Sequence, residues 1–372
     1  MPNNYKLFTS LVRLGIGHRA DPLPAVDDWS EIEVLANEHG LSAIVLDGIE
    51  VLRTNLNDNH NLNNLNLPDK LMLVQWIGEV HQNFELRYES YKQAIGEMAK
   101  FYNEHGFKMM VLKGYACSLD WPKPNHRPCG DIDIWQFGQQ KEADAALTAW
   151  FKGLNVQEFK VDNSHHHHTV FFWKNFMVEN HYDFVNTVDM KSSKVIEKLF
   201  KELGKDDSHY VELYGEKVYL PSPNLHALFL AKHMASHFTG ANITLRQVLD
   251  WAFFVEKHSS QIDWEWLNRM LTDFHMKDFM DSINAICVDE LGFDSKIFPS
   301  VQFTPEIKKR VFNDIIHPEF EAASPKLLIP RLIYKYRRWQ ASAWKRALFS
   351  SESEFSSFWA AVWSHMLKPK SI

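Results

Sequence analysis

The spacing of apolar positions divides the 372-residue chain into three stretches. In the first stretch, apolar side chains recur every three or four positions, which is the period of a helix buried on one side. This pattern predicts short helices over residues 5–52, with Asp27 or Asp28 capping the helix Trp29–Glu38. It also predicts one long helix from residue 68 to about residue 105.

The second stretch carries short apolar runs separated by Gly, Pro and Asn, which is typical of strands and turns. Predicted strands cover residues 107–112, 130–135, 156–161, 168–173 and 176–185, and residues 210–220 predict a separate hairpin. Short helices are expected at 115–120 and 141–153. The order of these elements predicts a mixed sheet with helices on one side.

The third stretch begins at Ser222-Pro223, a cap and first-turn proline in the order that helices prefer, and it remains helical almost to the end. The predicted class is therefore α+β. We expect an N-terminal helical region over residues 1–105, a central core over 106–220 and a C-terminal helical domain over 221–372.

Composition narrows the class of protein. A net charge of −7 argues against a general nucleic-acid coat protein. Three scattered cysteines, Cys117, Cys129 and Cys287, are too few for a disulfide framework, so a reducing cytoplasm is the expected location. The sequence shows neither an apolar signal core nor a run long enough to span a bilayer, so we expect no transmembrane segment.

Candidate chemistry centres on two acids of the predicted strand 130–135. Side chains two apart share a strand face, so Asp131 and Asp133 present two carboxylates together. Taken alone, the pair would fit acids that face solvent. Upstream, however, Lys113-Gly114 ends an apolar run before a short helix, where a lysine and backbone N–H groups can meet phosphate. Two carboxylates beside a phosphate site are suited to Mg²⁺.

Lys113-Gly114 and the Arg-x-x-Gly-Asp-Ile-Asp string at residues 127–133 resemble the nucleotidyltransferase superfamily of the DNA polymerase β-like fold. Within it, the string is similar to the bacterial branch called nucleotidyltransferase family 5. The resemblance is specific over residues 109–135 and weaker to about residue 250. It implies a polymerase β-like mixed sheet. The implied reaction is attack of an acceptor hydroxyl on the α-phosphate of a nucleoside triphosphate (NTP), with pyrophosphate leaving.

A third acid is expected on the strand 176–185. Period two places Glu179, His181 and Asp183 on one face, while polar Asn180 interrupts the opposite, apolar face. Family members carry Glu-x-His here, which favours Glu179 over Asp183 as the acceptor-side base or further metal ligand, with Asp183 left open. The resemblance then implies two Mg²⁺ ions held by Asp131, Asp133 and Glu179.

The phosphate-binding part departs from the family pattern. Gly114 permits close approach of the backbone to phosphate, but Tyr115 follows where the family has a second small residue. Either Ser118 supplies the hydroxyl contact or none exists. Arg127 fits either a phosphate contact or a surface loop. The predicted nucleotide-binding residues are Lys113, Gly114, Ser118, Arg127 and Gly130.

Histidines occur in two groups. In the tract His165–His168 no carboxylate or cysteine stands at ligand spacing, and alternate members of a strand point to opposite faces, so a polar strand end is favoured over a metal site. On the helix after Ser222, His226, His233 and His237 share a face but lack the glutamate of a zinc-protease helix. They form either a satisfied polar layer or a cleft wall. Candidate cleft-wall residues are His168, His181, Asp183, His233, His237, Arg246 and Asp250.

The segment 326–346 is basic and aromatic, with no acid. One interpretation is a surface for an anionic partner, such as RNA, a polyanion or a membrane surface. The alternative is a solvated helix face on which the aliphatic stems of Lys and Arg cover apolar surface and their charges reach water. Its basic residues are Lys326, Arg331, Lys335, Arg337, Arg338, Lys345 and Arg346.

The expected activity is a Mg²⁺-dependent nucleotidyltransferase with an open acceptor: protein, RNA, sugar or small molecule. The first alternative is a catalytically idle relative that serves as an interaction or antitoxin-type module. The second is a metal-dependent hydrolase built on the histidines.

Overall fold

The structure is a computed structural model and describes residues 3–20, 23, 28–58, 67–156, 158–186, 191–240, 242–299, 303–320, 325 and 328–349. Its described part combines helices with one six-stranded mixed sheet, which confirms the α+β class. Within these residues no helix has both the length and the apolar character that crossing a bilayer requires.

The N-terminal helices are α1 (Asn3–Gly15), α2 (Trp29–Glu38), α3 (Ser42–Asp58), α4 (Lys70–Val80) and α5 (Arg87–Glu104). Asp28 caps α2, since its carboxylate accepts the backbone N–H of Ser30 at 2.8 Å; Asp27 lies outside the described residues. A π-helical turn, His81–Leu86, joins α4 to α5. The predicted long helix is therefore confirmed.

The sheet contains β1 (Met110–Val111), β2 (Ile132–Trp135), β3 (His168–Trp173), β4 (Phe176–His181), β5 (Tyr210–Leu213) and β6 (Glu216–Tyr219), in the order β3-β4-β2-β1-β6-β5. Between the strands lie α6 (Tyr115–Ser118), a 3₁₀ turn (Pro124–His126), α7 (Gln140–Gly153) and α8 (Lys191–Leu203). Strand β2 runs parallel to β4 and antiparallel to β1.

Two sequence predictions for the sheet were wrong. The described residues of 156–161 form no strand, and only Asp162 bridges to Val170 of β3. The hairpin β5–β6 is not separate, because β6 pairs in parallel with β1 through Met110 and Tyr219. The pairing of β6 with β1 joins residues far apart along the chain, which short, polar-flanked runs do not reveal.

The C-terminal helices are α9 (Pro223–Gly240), α10 (Leu245–His258), α11 (Trp264–Asp273), α12 (Lys277–Asp289), α13 (Pro305–Ile316), α14 (Leu328–Ala341) and α15 (Ala343–Ala347), with a 3₁₀ turn at Ser295–Ile297. Pro305 stands in the first turn of α13, where its missing N–H costs nothing.

Helices cover both faces of the sheet, contrary to the prediction of one side. Ile132 and Ile134 of β2 pack in one core with α5 and α7, for example with Tyr91 and Leu147. Trp135, on the other face, belongs to a second core that includes residues of α8 and α9. Alternation along β2 thus sends its acids toward the C-terminal helices.

The second core also joins the N-terminal helices to the C-terminal ones. His18 contacts the carbonyl oxygen of Leu291 at 2.8 Å, and the N–H of Leu245 donates to the His39 ring at 3.2 Å. The boundaries at residues 105 and 220 stay a prediction, but the packing does not follow them, because α5 packs with the sheet.

Candidate active site

The site begins with two carboxylates on adjacent parallel strands. Asp133 of β2 and Glu179 of β4 are Cα partners, and Trp135 pairs with His181 two positions later. The His181 Nε2 atom lies 3.0 Å from Asp133 Oδ1 and 3.6 Å from Glu179 Oε2. One ligand atom from each of Asp133, Glu179 and His181 falls within 4.8 Å of the others. The group has the donor types and spacing that a cation could bridge.

A lysine completes this arrangement. Lys113 Nζ lies 2.7 Å from Asp133 Oδ1. Burial raises the pKa of Asp133, but Lys113 and His181 outweigh burial and hold that pKa well below its usual range. Burial lowers the pKa of His181, whereas hydrogen bonds to Asp133 and Glu179 raise it to about 9. Asp133 is therefore a fully charged acid between two cations.

Asp131 stands just before β2 and lines a pocket of about 90 Å³. Burial first, and then the charge of Asp133, raises the pKa of Asp131. Two neighbouring acids in a buried place repel each other unless a cation intervenes. The pocket is also lined by Lys113, Gly114, Arg127, Gly130, Asp133, His233, Arg246 and Asp250.

Gly114 is required by its surroundings. Its φ of +54° is a conformation that side chains disfavour, and a Cβ at this position would lie 2.2 Å from the Tyr91 hydroxyl oxygen. That hydroxyl donates to the backbone oxygen of Asp131 at 2.8 Å. Tyr91 thus ties the Lys113-Gly114 turn to the acidic strand.

Arg127 does not offer a free guanidinium to the pocket. Its Nε and Nη2 donate to the two carboxylate oxygens of Asp250 at 2.7 and 3.0 Å, and Trp121 donates to the same carboxylate at 2.8 Å. Both Arg127 and Asp250 are buried. This pair links the loop before β2 to α10, and burial excludes the surface-loop alternative for Arg127. Both residues line the pocket, so the cleft-wall place of Asp250 and the nucleotide contact of Arg127 stay predictions.

Arg246 lies one turn before Asp250 on α10 and, unlike Arg127, has a guanidinium nitrogen without a hydrogen-bond partner among the described residues. This nitrogen is the buried Nε atom. Burial and then the charge of Arg127 lower the pKa of Arg246, while Asp250 and Asp131 oppose that shift. A buried, pocket-lining guanidinium with an unused donor is suited to an anionic ligand.

Ser118 lies outside the pocket. Its hydroxyl donates to the Tyr115 carbonyl at 2.7 Å and contacts the Tyr88 hydroxyl at 3.0 Å, and the side chain is buried. The predicted nucleotide contact of Ser118 is therefore wrong for this arrangement. The hydroxyl one turn after Gly114 instead contacts tyrosines of the core that α5 and α7 share with the sheet.

Asp183 follows the end of β4 and forms an ion pair with Lys201 of α8. It is absent from the group that Asp133 forms with Glu179. Of the two candidate third acids, Glu179 is thus the one in register with Asp133, and its catalytic role stays a prediction.

Asn180, which broke the apolar pattern of its strand, is buried on the opposite face. Its side-chain amide donates to Asp144 Oδ1 at 2.8 Å, and Thr169 donates to Asp144 Oδ2 at 2.7 Å. The polar residue Asn180 therefore provides a hydrogen bond to a buried acid of α7. Its place on an apolar strand face is explained only by the packing of β4 against α7.

The helix α9 contributes histidines unequally. His233 lines the pocket, and burial followed by the nearby charge of Lys113 lowers its pKa well below the usual value. The His237 ring lies 4.3 Å from that of His233. His226 is instead in the core, 3.8 Å from Cys117 Sγ and 4.8 Å from the Phe254 ring. All three lie on the one helix at spacings of seven and four, as predicted, but of the three only His233 lines the pocket.

Sequence reasoning missed His167. Because β3 starts at His168, His167 lies in a bend and need not point to the opposite face. The His167, His168 and His181 side chains approach one another, with the rings of His168 and His181 5.2 Å apart. Burial is the main cause that lowers the pKa of both His167 and His168 to about 3.

The basic segment is only partly exposed. Lys345 is buried and ion-paired with Asp314, and Arg346 stacks on the Trp339 ring at 4.3 Å, which corrects their assignment to an anion-facing surface. Arg331 and Arg337 are exposed. Lys326 lies outside the described residues, as does the side chain of Lys335.

Comparison with known proteins places this geometry in context. A family profile described as uncharacterised nucleotidyltransferase matches residues 25–291. No curated protein matches the chain significantly. Among solved structures, an antigenic nucleotidyltransferase-like protein from Paracoccidioides brasiliensis matches at 14% identity and a TM-score of 0.34, covering 56% of this chain and 95% of that protein.

Proposed function

The chain belongs to the family described as uncharacterised nucleotidyltransferases, and from this premise we propose that it transfers a nucleoside monophosphate from an NTP to an acceptor hydroxyl. The observation that carries the proposal is the in-register pair Asp133 and Glu179, of which Asp133 lines a pocket together with Lys113, Gly114 and Arg246. Carboxylates that can bind a cation thus lie beside basic groups that can bind a polyphosphate, and transfer from an NTP requires both.

The residues fit Mg²⁺, which prefers carboxylate oxygens and substrate phosphates. Asp133 is buried and Asp131 half-buried, and burial first and then the charge of Asp133 raise the pKa of Asp131. Asp131, Asp133 and Glu179 would hold the two ions expected with bound NTP. When bound, Mg²⁺ supplies neutralisation of the negative charge that develops on the transferred phosphoryl group.

The protein's own groups then have separate tasks. Glu179 accepts the proton of the acceptor hydroxyl while the hydroxyl oxygen bonds to the α-phosphorus. The bond between the α-phosphorus and the pyrophosphate oxygen breaks in the same step. His181 donates to Asp133 and lies beside Glu179, so it is a positioning residue. Lys113, which pairs with Asp133 in this structure, exchanges that partner for phosphate oxygens.

Arg246 and Gly114 complete the phosphate site. The unused Nε of Arg246 provides a charge-assisted hydrogen bond to a phosphate oxygen. The bare backbone at Gly114 allows the polyphosphate to approach closely. Pyrophosphate is the leaving group, so both residues stabilise charge that grows during the reaction.

The first test is thermal unfolding with each of the four NTPs, with and without Mg²⁺. A ligand at 100 times its Kd stabilises the folded state by about 2.7 kcal/mol, so binding is readily detected. Asp131→Asn and Asp133→Asn are expected to abolish the Mg²⁺-dependent increment. Asp183→Asn, which removes an acid bound to Lys201 instead, is the matched control and keeps it.

The second test follows the label of an α-³²P NTP into a panel of protein, RNA, sugar and small-molecule acceptors. Glu179→Gln is expected to retain nucleotide binding but lose turnover, because the base acts mainly in the transition state. If no NTP stabilises the parent protein, the idle interaction module is the correct alternative. Release of the label as a free monophosphate, with no acceptor labelled, would indicate hydrolysis.

A further inference from the structure

Three imidazoles gather at the end of the sheet next to the carboxylates. One ring nitrogen from each of His167, His168 and His181 lies within 4.8 Å of the other two. The ring centroids of His167 and His168 are 4.4 Å apart, and those of His167 and His181 are 5.5 Å apart. Such proximity is close to the spacing of nitrogens around a single metal ion.

Backbone pairing fixes this convergence. His168 is the Cα partner of His181 across the antiparallel strands β3 and β4. The carbonyl oxygen of His167 accepts the N–H groups of both Tyr182 and Asp183, each at 3.0 Å. The bend that turns His167 toward its neighbours is therefore held by the main chain.

Two histidines of this cluster have unused nitrogens, whereas those of His181 contact Asp133 and the carbonyl oxygen of Asp183. Both ring nitrogens of His168 and the Nδ1 of His167 are buried without a hydrogen-bond partner among the described residues. His168 is only 6% exposed. Buried polar atoms normally find partners, so unpartnered nitrogens on two adjacent histidines of one cluster indicate a missing ligand.

A carboxylate stands beside them. Glu179 Oε2 lies 3.7 Å from His168 Nδ1 and 3.6 Å from His181 Nε2. Imidazole nitrogens with one carboxylate are a donor set for zinc and similar transition ions, whereas Mg²⁺ prefers oxygen ligands alone.

We propose that His167, His168 and His181, together with Glu179, bind one divalent ion of the zinc class. The ion would share Glu179 and His181 with the proposed transferase site. A bound zinc ion is therefore expected to inhibit nucleotidyl transfer; this consequence rests on the proposed function, while the metal site itself does not.

The test titrates chelator-treated protein with Zn²⁺ by calorimetry, and with Co²⁺ by visible absorption, in the absence of NTP and Mg²⁺. We expect one ion per chain, with the cobalt spectrum of a nitrogen-rich, four-coordinate site. His167→Ala and His168→Ala are each expected to weaken binding roughly tenfold or more. His237→Ala is the matched control, because it removes a histidine of α9 that is absent from the three-histidine cluster. His165→Ala removes a ring 4.6 Å from that of His168, so it is expected to weaken binding less than the loss of either His167 or His168.

Three outcomes would contradict the proposed metal site. The first is that the parent protein binds neither Zn²⁺ nor Co²⁺, and the second is that binding survives both His167→Ala and His168→Ala. The third is that His165→Ala or His237→Ala weakens binding as much as those two changes do. Circular dichroism checks that each variant is folded, and if His168→Ala fails to fold, His167→Ala carries the test. Because the titration contains no nucleotide, loss of transferase activity and loss of the metal site are separate results.

Discussion

The ion pair between Arg127 and Asp250 provides the sharpest test of how this site is held together. The change is Asp250→Asn, which keeps the size of the side chain and an oxygen for the Trp121 donor. It removes the negative charge that faces both donating nitrogens of Arg127. Because Arg127 is only 6% exposed, water cannot replace the lost partner.

The expected cost is about 3–5 kcal/mol of unfolding free energy, the usual penalty for leaving one buried charge unpaired. That is a large part of the total stability of about 5–15 kcal/mol that native proteins have. The matched control is Glu265→Gln. Glu265 pairs with Arg269 at 3.1 Å, but these side chains are 86% and 61% exposed, so its loss costs about 1 kcal/mol or less.

Urea-induced unfolding measures all variants, including Arg127→Met, Asp250→Leu and the double variant that combines these two changes. Because the double change leaves no charge behind, its cost is expected to be well below the sum of the two single changes. A cost near 1 kcal/mol for Asp250→Asn, or simple additivity in the double variant, would refute the conclusion that this pair is a structural link.

Three further predictions concern the surroundings of the site. Gly114→Ala should cost at least about 2 kcal/mol in urea unfolding, from backbone strain and the clash with Tyr91, and Tyr91→Phe should recover part of it; no loss would refute the clash. Burial raises the pKa of Glu197 from 4.5 to about 7, so its stabilising protonated form is lost as pH rises through that range. Glu197→Gln should therefore gain up to roughly 3 kcal/mol on the parent between pH 5 and pH 8 in thermal unfolding, and a constant difference would contradict this. Asn180→Val should cost about 1–3 kcal/mol in urea unfolding by removing a donor from buried Asp144, and a neutral result would show that the bond is dispensable.

The sequence predicted local features well because they depend on neighbours along the chain. The strand that carries Asp133, with Asp131 just before it, follows from alternation, and the long helix before it from a period of 3.6. Glu179 was placed on a strand, and the structure puts it in register with Asp133. Alternation could not show which helices pack against each face of the sheet.

Features that depend on distant partners were missed for a physical reason. Arg127 and Asp250 are 123 positions apart, so nothing in either local pattern marks them as a buried pair. The histidine tract was judged by ideal strand alternation, whereas β3 begins only at His168. A bend directly before the strand is enough to place His167 beside His168. Sequence periodicity does not resolve such a bend.

The core shared by the first and last helices has a consequence for synthesis on the ribosome. Helices α1 to α3 end at Asp58 and pack on one another, but the C-terminal helices that share their core begin only at Pro223. At ~5–20 residues per second, roughly ten to thirty seconds separate these segments. During that interval the apolar faces of the first helices, such as those of Phe8 and Ile44, have none of their partners from α9 to α13. We therefore expect the nascent chain to be a substrate for chaperones until α9 to α13 emerge.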